Sequence, residues 1–190
     1  MHNRFNSIIN HPEINERLIE YFNDINFYNW NGIRYFLYEY EQSLYSKSKT
    51  KKTKLDWIHF NEEKHDFITV EHIFPQTVKH DCWKKNFGSF GLKHRRILNN
   101  SLGNLLPLSR PKNSSLQNKC FKDKIDNTKE YVGFRYGSYC ENEISKYEDW
   151  TPETIKERGI KLLKFMEKRW GLDFKDDETR TKILNLEFIK

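Results

Sequence analysis

Two short β-type runs, with a helix opening straight after the second, constrain this chain most tightly. Residues 68–74 (ITVEHIF) carry the β-branched composition of a strand, and Pro75 stops it. Residues 104–108 (NLLPL) read as a second strand, which Pro107 confines to an edge or a bulge. Arg110-Pro111-Lys112-Asn113 then opens a helix running to about residue 119, with Pro111 at a helix-start position and Leu116 and Cys120 on its buried face. So little strand predicts an α+β fold: a small ββα centre inside a mostly helical shell.

The remaining periodicity is helical. Residues 12–27 space Ile14, Leu18, Tyr21, Phe22 and Ile25 three and four apart, with Pro12 placed to open the helix. Residues 30–45 repeat the pattern with Ile33, Phe36, Leu37, Tyr40 and Leu44. Shorter helical pieces fall within 77–90 and 94–102, and around 126–134 and 141–146. The final helix carries both caps: Thr151 as N-cap, Pro152 at the first helical position, and Gly171 as terminator. Residues 55–60 (LDWIHF) alternate briefly and could add a strand.

With 36% hydrophobic and 32% charged residues, the core must lean on rings: 14 Phe, 10 Tyr and 5 Trp. Large rings bury enough area for 190 residues to form one compact unit. Within it we distinguish a helical pair (1–46), a basic loop (47–54) and a domain over 55–190. That domain holds the ββα core, about 68–120, and the C-terminal helix, about 151–171. Residues 46–54 (SKSKTKKTK) hold five lysines and read as a solvated, mobile loop, with phosphate contact as the functional alternative. A net charge of +6 is compatible with a polyanionic partner and ordinary for a basic protein.

Cys82, Cys120 and Cys140 show no CxxC or Cys/His spacing, which argues against structural zinc and against disulfides. Cys82 and Cys120 read as packing residues, and scattered thiols fit a reducing cytoplasm. No apolar run of spanning length and no signal peptide is present, so no membrane partner is expected.

A hairpin followed at once by a helix brings together the end of the first strand, the start of the second and the first helical turn. At those points stand Glu71 and His72, Asn104, and Asn113. A carboxylate can hold a divalent cation, and an imidazole can take a proton from water. Singly, each has an ordinary reading: a surface pair, a turn residue, a helix cap. Neighbouring strand residues also face opposite ways, so Glu71 and His72 share a site only if the strand bends or ends there, as Pro75 favours.

The ordered set Glu71-His72-Ile73-x-Pro75-Gln76, Gly103-Asn104-Leu105, and Asn113 nine residues after Asn104 resembles an HNH nuclease of the ββα-metal (His-Me finger) type. It is more closely similar to the C-terminal domain of GmrSD-type, modification-dependent restriction endonucleases. Trp83, Phe121 with Lys124 as Phe-x-x-Lys, Trp150-Thr151, and the lead-in Ile33-Arg34-Tyr35-Phe36-Leu37 with Glu41 carry that closer likeness, which spans most of residues 28–170.

The resemblance implies a metal-dependent DNA endonuclease, a phosphodiester hydrolase nicking once per site, in defence against foreign or modified DNA. His72 would be the general base. Asn104 would hold the loop and the histidine's tautomer. Glu71 and Asn113 would ligate one Mg²⁺ or Mn²⁺. Arg110, Lys112, Lys119, Lys122 and Lys124 are the candidates for nucleic-acid contact, Lys124 by the family likeness only. The family also implies a nucleotide-binding, modification-sensing domain or subunit as partner, since no P-loop occurs here. A nucleic-acid- or partner-binding module with an inert HNH-like centre is the competing reading, and the catalytic parts suit RNA as well as DNA.

Overall fold

The computed structural model describes residues 13–50, 52–56, 58, 69–126 and 132–190. Helix α1 (Ile14–Ile25) buries Leu18, Tyr21 and Phe22, and α2 (Ile33–Lys47) buries Ile33, Phe36, Leu37 and Tyr40. In both, the three-and-four spacing gathers apolar side chains on one stripe facing the core. Pro12, the residue expected to open α1, lies outside the described residues, as do 57, 59 and 60 and the segment 127–131; Leu55 and Asp56, where a strand was expected to begin, are in no strand.

Strands β1 (Thr69–His72) and β2 (Leu105–Leu108) pair antiparallel, with Glu71 opposite Leu106 and His72 opposite Leu105. They form a two-stranded sheet, so each is an edge and the missing N–H of Pro107 interrupts no further ladder. Between them run α3 (Asp81–Phe87) and α4 (Leu92–Asn100), then a 3-10 turn, Leu102–Asn104. After β2, α5 (Arg110–Leu116) starts directly from Ser109. It is shorter than predicted because Gln117 takes φ +37°, which ends the helix.

Short helices α6 (Phe121–Ile125) and α7 (Tyr139–Ile144) follow, with a 3-10 turn, Phe134–Tyr136, between them. Glu41 of α2 caps α7, accepting the backbone N–H groups of Tyr139 and Cys140 at 2.8 and 2.7 Å. Helix α8 (Pro152–Trp170) has the predicted ends: Thr151 accepts from the Thr154 N–H, and Gly171 sits at φ +67°, where a Cβ is costly. Helix α9 (Asp177–Ile183), capped by Asp176, has no counterpart in the sequence reading; it packs on α1 and closes the shell.

Among the described residues, rings supply 13 of the 35 buried hydrophobic residues, and Leu and Ile supply most of the rest, so the core leans on aromatics without being dominated by them. Phe74, just beyond β1, stacks on Phe87 with centroids 3.7 Å apart, and Phe22 stacks on Phe27 at 3.9 Å. The 3-10 turn before β2 lies tight on α8. A Cβ built on Gly103 would come 1.9 Å from the Ile155 carbonyl, so only glycine allows this approach.

Two expectations are corrected. Cys82 and Cys120 form a disulfide, Cα–Cα 6.0 Å, rather than serving as packing thiols; in a reducing compartment they would be adjacent thiols. The pairing was hidden because 38 residues separate them, and only the packing of α3 beside the start of α6 brings them together. The end of the basic loop is also fastened. Lys54 Nζ donates to the Gly137 carbonyl and to Asn142 Oδ1, each at 2.8 Å, and lies over the Tyr139 ring.

Among the described residues no helix is long and apolar enough to cross a membrane.

Candidate active site

The loop after β1 is shaped by a single amide. Asn104 Oδ1 accepts from the Phe74 N–H at 2.8 Å and from the Trp150 indole at 3.0 Å. Its Nδ2 donates to the carbonyls of Phe74 and Asn99, both at 2.9 Å. The side chain is fully buried, and all its donor and acceptor capacity is used. Asn99 adds two donations, to the carbonyls of Phe74 and Pro75 at 2.9 and 3.0 Å. Asn104 therefore holds the loop, as expected, but its amide bonds do not reach the imidazole of His72.

Asn104 is itself held from α8. Arg158, fully buried, donates Nη1 to the carbonyls of Gly103 and Leu105 at 2.7 and 2.9 Å, one on each side of Asn104. Phe121 packs on the Trp150 ring, centroids 5.2 Å apart, and Trp83 donates its indole N–H to the carbonyls of Asn118 and Lys119. The scattered aromatic positions singled out in the sequence thus converge behind one loop.

His72 closes β1 and is 8% exposed. Its Nε2 lies 3.4 Å from Asn100 Oδ1 and 3.5 Å from Gln76 Nε2. Protonated there it donates to Asn100; unprotonated it accepts from Gln76. Tyr28 covers the imidazole with its ring centroid 4.3 Å away, while remaining 39% exposed itself. Burial pushes the imidazole down to about 4, the bond to Asn100 opposes that, and the positive charge of Lys124 adds to it. His72 is therefore neutral at pH 7, the state a proton acceptor needs. Tyr28 and Asn100 are neighbours of His72 that the sequence does not point to. Tyr28 reaches the site through the Asn26 turn that ends α1, and no local signal marks it.

Glu71 faces different neighbours. Its Oε1 takes the Lys124 ammonium at 2.5 Å, and the same Nζ donates to the His72 carbonyl at 3.1 Å. Strand alternation thus survives to the end of β1, and the bend expected to turn both side chains to one site does not occur: Glu71 looks toward α6, His72 toward Tyr28 and α4. Burial raises the carboxyl of Glu71 and lowers the ammonium of Lys124, and their mutual contact opposes both shifts.

Asn113 lies in α5, which packs against β1, and is half-buried. Ser109, not Asn113, holds the N-cap position, and the amide of Asn113 has no hydrogen-bond partner among the described residues. The cap reading is therefore set aside.

The five basic candidates divide. Lys124 has no exposed surface and is committed to Glu71, so in this arrangement it does not face a phosphate. Lys112 donates to Glu141 Oε1 at 2.5 Å and to the Gly133 carbonyl at 3.0 Å, an internal tie between α5 and α7. Arg110 and Lys122 are exposed and Lys119 is half-exposed, with none of the three side chains in a salt bridge among the described residues.

Residues 13–165 match the family described as GmrSD restriction endonucleases, C-terminal domain. No curated protein and no solved structure matches the chain. The matched span takes in the helical lead-in, both strands, the Asn104 clamp and most of α8. The chain belongs to the C-terminal domain family of the GmrSD restriction endonucleases, a restriction-type nuclease family.

Proposed function

We propose that this domain is a metal-dependent DNA endonuclease of the HNH type, hydrolysing one phosphodiester bond per site in cytoplasmic defence against foreign or modified DNA. The observation that carries this reading is His72: a neutral imidazole at the end of β1, covered by Tyr28 and flanked by Asn100 and Gln76. In the proposed reaction an unprotonated ring nitrogen takes a proton from water. The water oxygen bonds to phosphorus, and the bond to the 3′ oxygen breaks with that oxygen taking the electron pair. Tyr28 and Asn100 fix the ring plane, and Asn104 fixes the loop from which Gln76 approaches. Arg110, Lys119 and Lys122 are positioned outside this centre as phosphate contacts.

The oxygen donors suit a hard divalent cation. Lys124 occupies Glu71 Oε1, and the Asn113 amide has no hydrogen-bond partner among the described residues. Glu71, once released from Lys124 and turned toward the His72 side, and Asn113 would hold Mg²⁺ or Mn²⁺, and the ion would neutralise charge on the phosphate and the leaving oxygen. Recognition of the DNA modification falls, in this reading, to a nucleotide-binding partner domain or subunit.

His72→Ala is expected to abolish Mg²⁺- or Mn²⁺-dependent nicking of supercoiled plasmid while leaving the circular-dichroism spectrum unchanged. Full nicking by that variant sinks the mechanism. The neutralisation of Glu71 by Lys124 favours a second reading, an inert centre in a binding module. Such a module would retard DNA equally in EDTA and in Mg²⁺ and would never convert supercoiled substrate.

A further inference from the structure

We infer that the cleft between α1 and α4 is the track for the DNA strand flanking the scissile phosphate; this rests on the nuclease reading above. The cleft encloses about 500 Å³, with Phe22 and Phe27 from the α1 side, Ile97 from α4, and Leu184 from the C-terminal segment. Its polar lining is cationic on balance: Lys93 and Arg96 against one carboxylate, Asp24. Asp24 has an interaction of its own, whereas both cations are exposed and have no hydrogen-bond or salt-bridge partner among the described residues.

Asn100 joins the cleft to the reaction centre. It lines the cleft, and its Oδ1 is the atom 3.4 Å from His72 Nε2. Lys93, Arg96 and Asn100 recur at helical spacing along α4, on one stripe. At about 1.5 Å of rise per residue, Arg96 lies roughly 6 Å and Lys93 roughly 10 Å from Asn100 along the helix axis. Phosphates of one DNA strand advance about 3.4 Å per nucleotide along the duplex axis, so the two cations match positions two and three nucleotides beyond His72. Asparagine amides along the cleft reach sugar and base edges: Asn23 offers a donor and an acceptor, and Asn26, whose Oδ1 accepts from the Asn29 N–H, offers its amide donors. The cleft cations are also free for this role in a way that Lys112 and Lys124 are not, since those two are spent inside the protein.

The test measures binding of a labelled DNA duplex by fluorescence anisotropy in EDTA, where cleavage is off, across a salt series. Plasmid nicking by the wild-type protein in Mg²⁺ is measured separately. The double variant K93E/R96E is expected to bind roughly tenfold or more weaker near physiological salt, with the slope of log affinity against log salt smaller by about 2. K93R/R96K should restore the wild-type slope. K168E, a charge reversal on the exposed face of α8, should leave the slope within about 0.5 of wild type. Wild-type nicking together with unchanged affinity and slope in K93E/R96E overturns the track and leaves the nuclease reading standing. Absence of wild-type nicking under every metal tried overturns the nuclease reading, and the track with it.

Discussion

The two ends of the candidate site are held by opposite means. At the Asn104 end a neutral amide makes four short hydrogen bonds, to two carbonyls, a backbone N–H and an indole, and nothing is left over. At the Glu71 end a buried ion pair with Lys124 does the holding, and Asn113, in the helix packed on β1, makes no amide hydrogen bond among the described residues. Neutral, saturated bonding fixes geometry because each lost partner leaves a buried group without compensation. Charged, unsaturated bonding leaves capacity for something that is not protein.

The largest expected effect is at the saturated end. Asn104→Ala would leave the Phe74 N–H, the Asn99 carbonyl and the Trp150 indole N–H without their partner, while Asn99 still serves the Phe74 carbonyl. At roughly 1–3 kcal/mol for each of three buried orphans, the loss should be about 3–9 kcal/mol. That is a large share of the roughly 5–15 kcal/mol that ordinary domains have. Urea unfolding measures it directly. A loss under about 1 kcal/mol would mean that water replaces the amide and that the clamp is not saturated.

Next is the ion pair. Lys124→Met leaves the Glu71 carboxylate buried without its ammonium and should cost about 3–5 kcal/mol at pH 7. Glu71→Gln combined with Lys124→Met removes both charges and should recover most of that loss, because apolar or neutral replacements of a buried pair are often close to neutral. If the double variant is no more stable than the single one, the pair is not held by charge and the contrast with Asn104 collapses.

How much of this was legible follows from the range of each interaction. The helices α1, α2 and α8 were readable because periodicity and caps are local: Thr151, Pro152 and Gly171 stand at the predicted positions. The strand pair was readable from composition and Pro107, and the ββα order placed His72, Asn104 and Asn113 in one region before any coordinates. What joins them was not. Lys124 reaches Glu71 across 53 residues, and Trp150 reaches Asn104 across 46. Only the family resemblance points to these residues in the sequence, and Lys124, a DNA-contact candidate by that resemblance, is buried. Helix α9 did carry a local start signal, Asp176 as N-cap with Asp177 and Glu178 in the first turn, whereas Tyr28 over His72 and the Cys82–Cys120 bond carried no local pattern that separates them from ordinary surface or core residues. Tertiary packing decides such contacts, and one sequence shows packing only as composition.

The smallest expected effect on stability tests the other half of the comparison. Asn113 is half-buried, is not the N-cap of α5, and makes no amide hydrogen bond among the described residues. Asn113→Ala should therefore change unfolding stability by no more than about 0.5 kcal/mol, since no orphan is created and alanine is the better helix former. Nicking should respond quite differently. Losing one of two protein oxygen ligands should raise the Mg²⁺ concentration for half-maximal nicking by at least about tenfold, the lower bound seen even for residues outside the ligand shell. Paired measurements, urea unfolding in EDTA and nicking across a Mg²⁺ titration, separate the roles. A stability loss above about 1 kcal/mol with an unchanged metal requirement would make Asn113 a structural residue. The site would then have to find its second ligand elsewhere than in the first turns of α5.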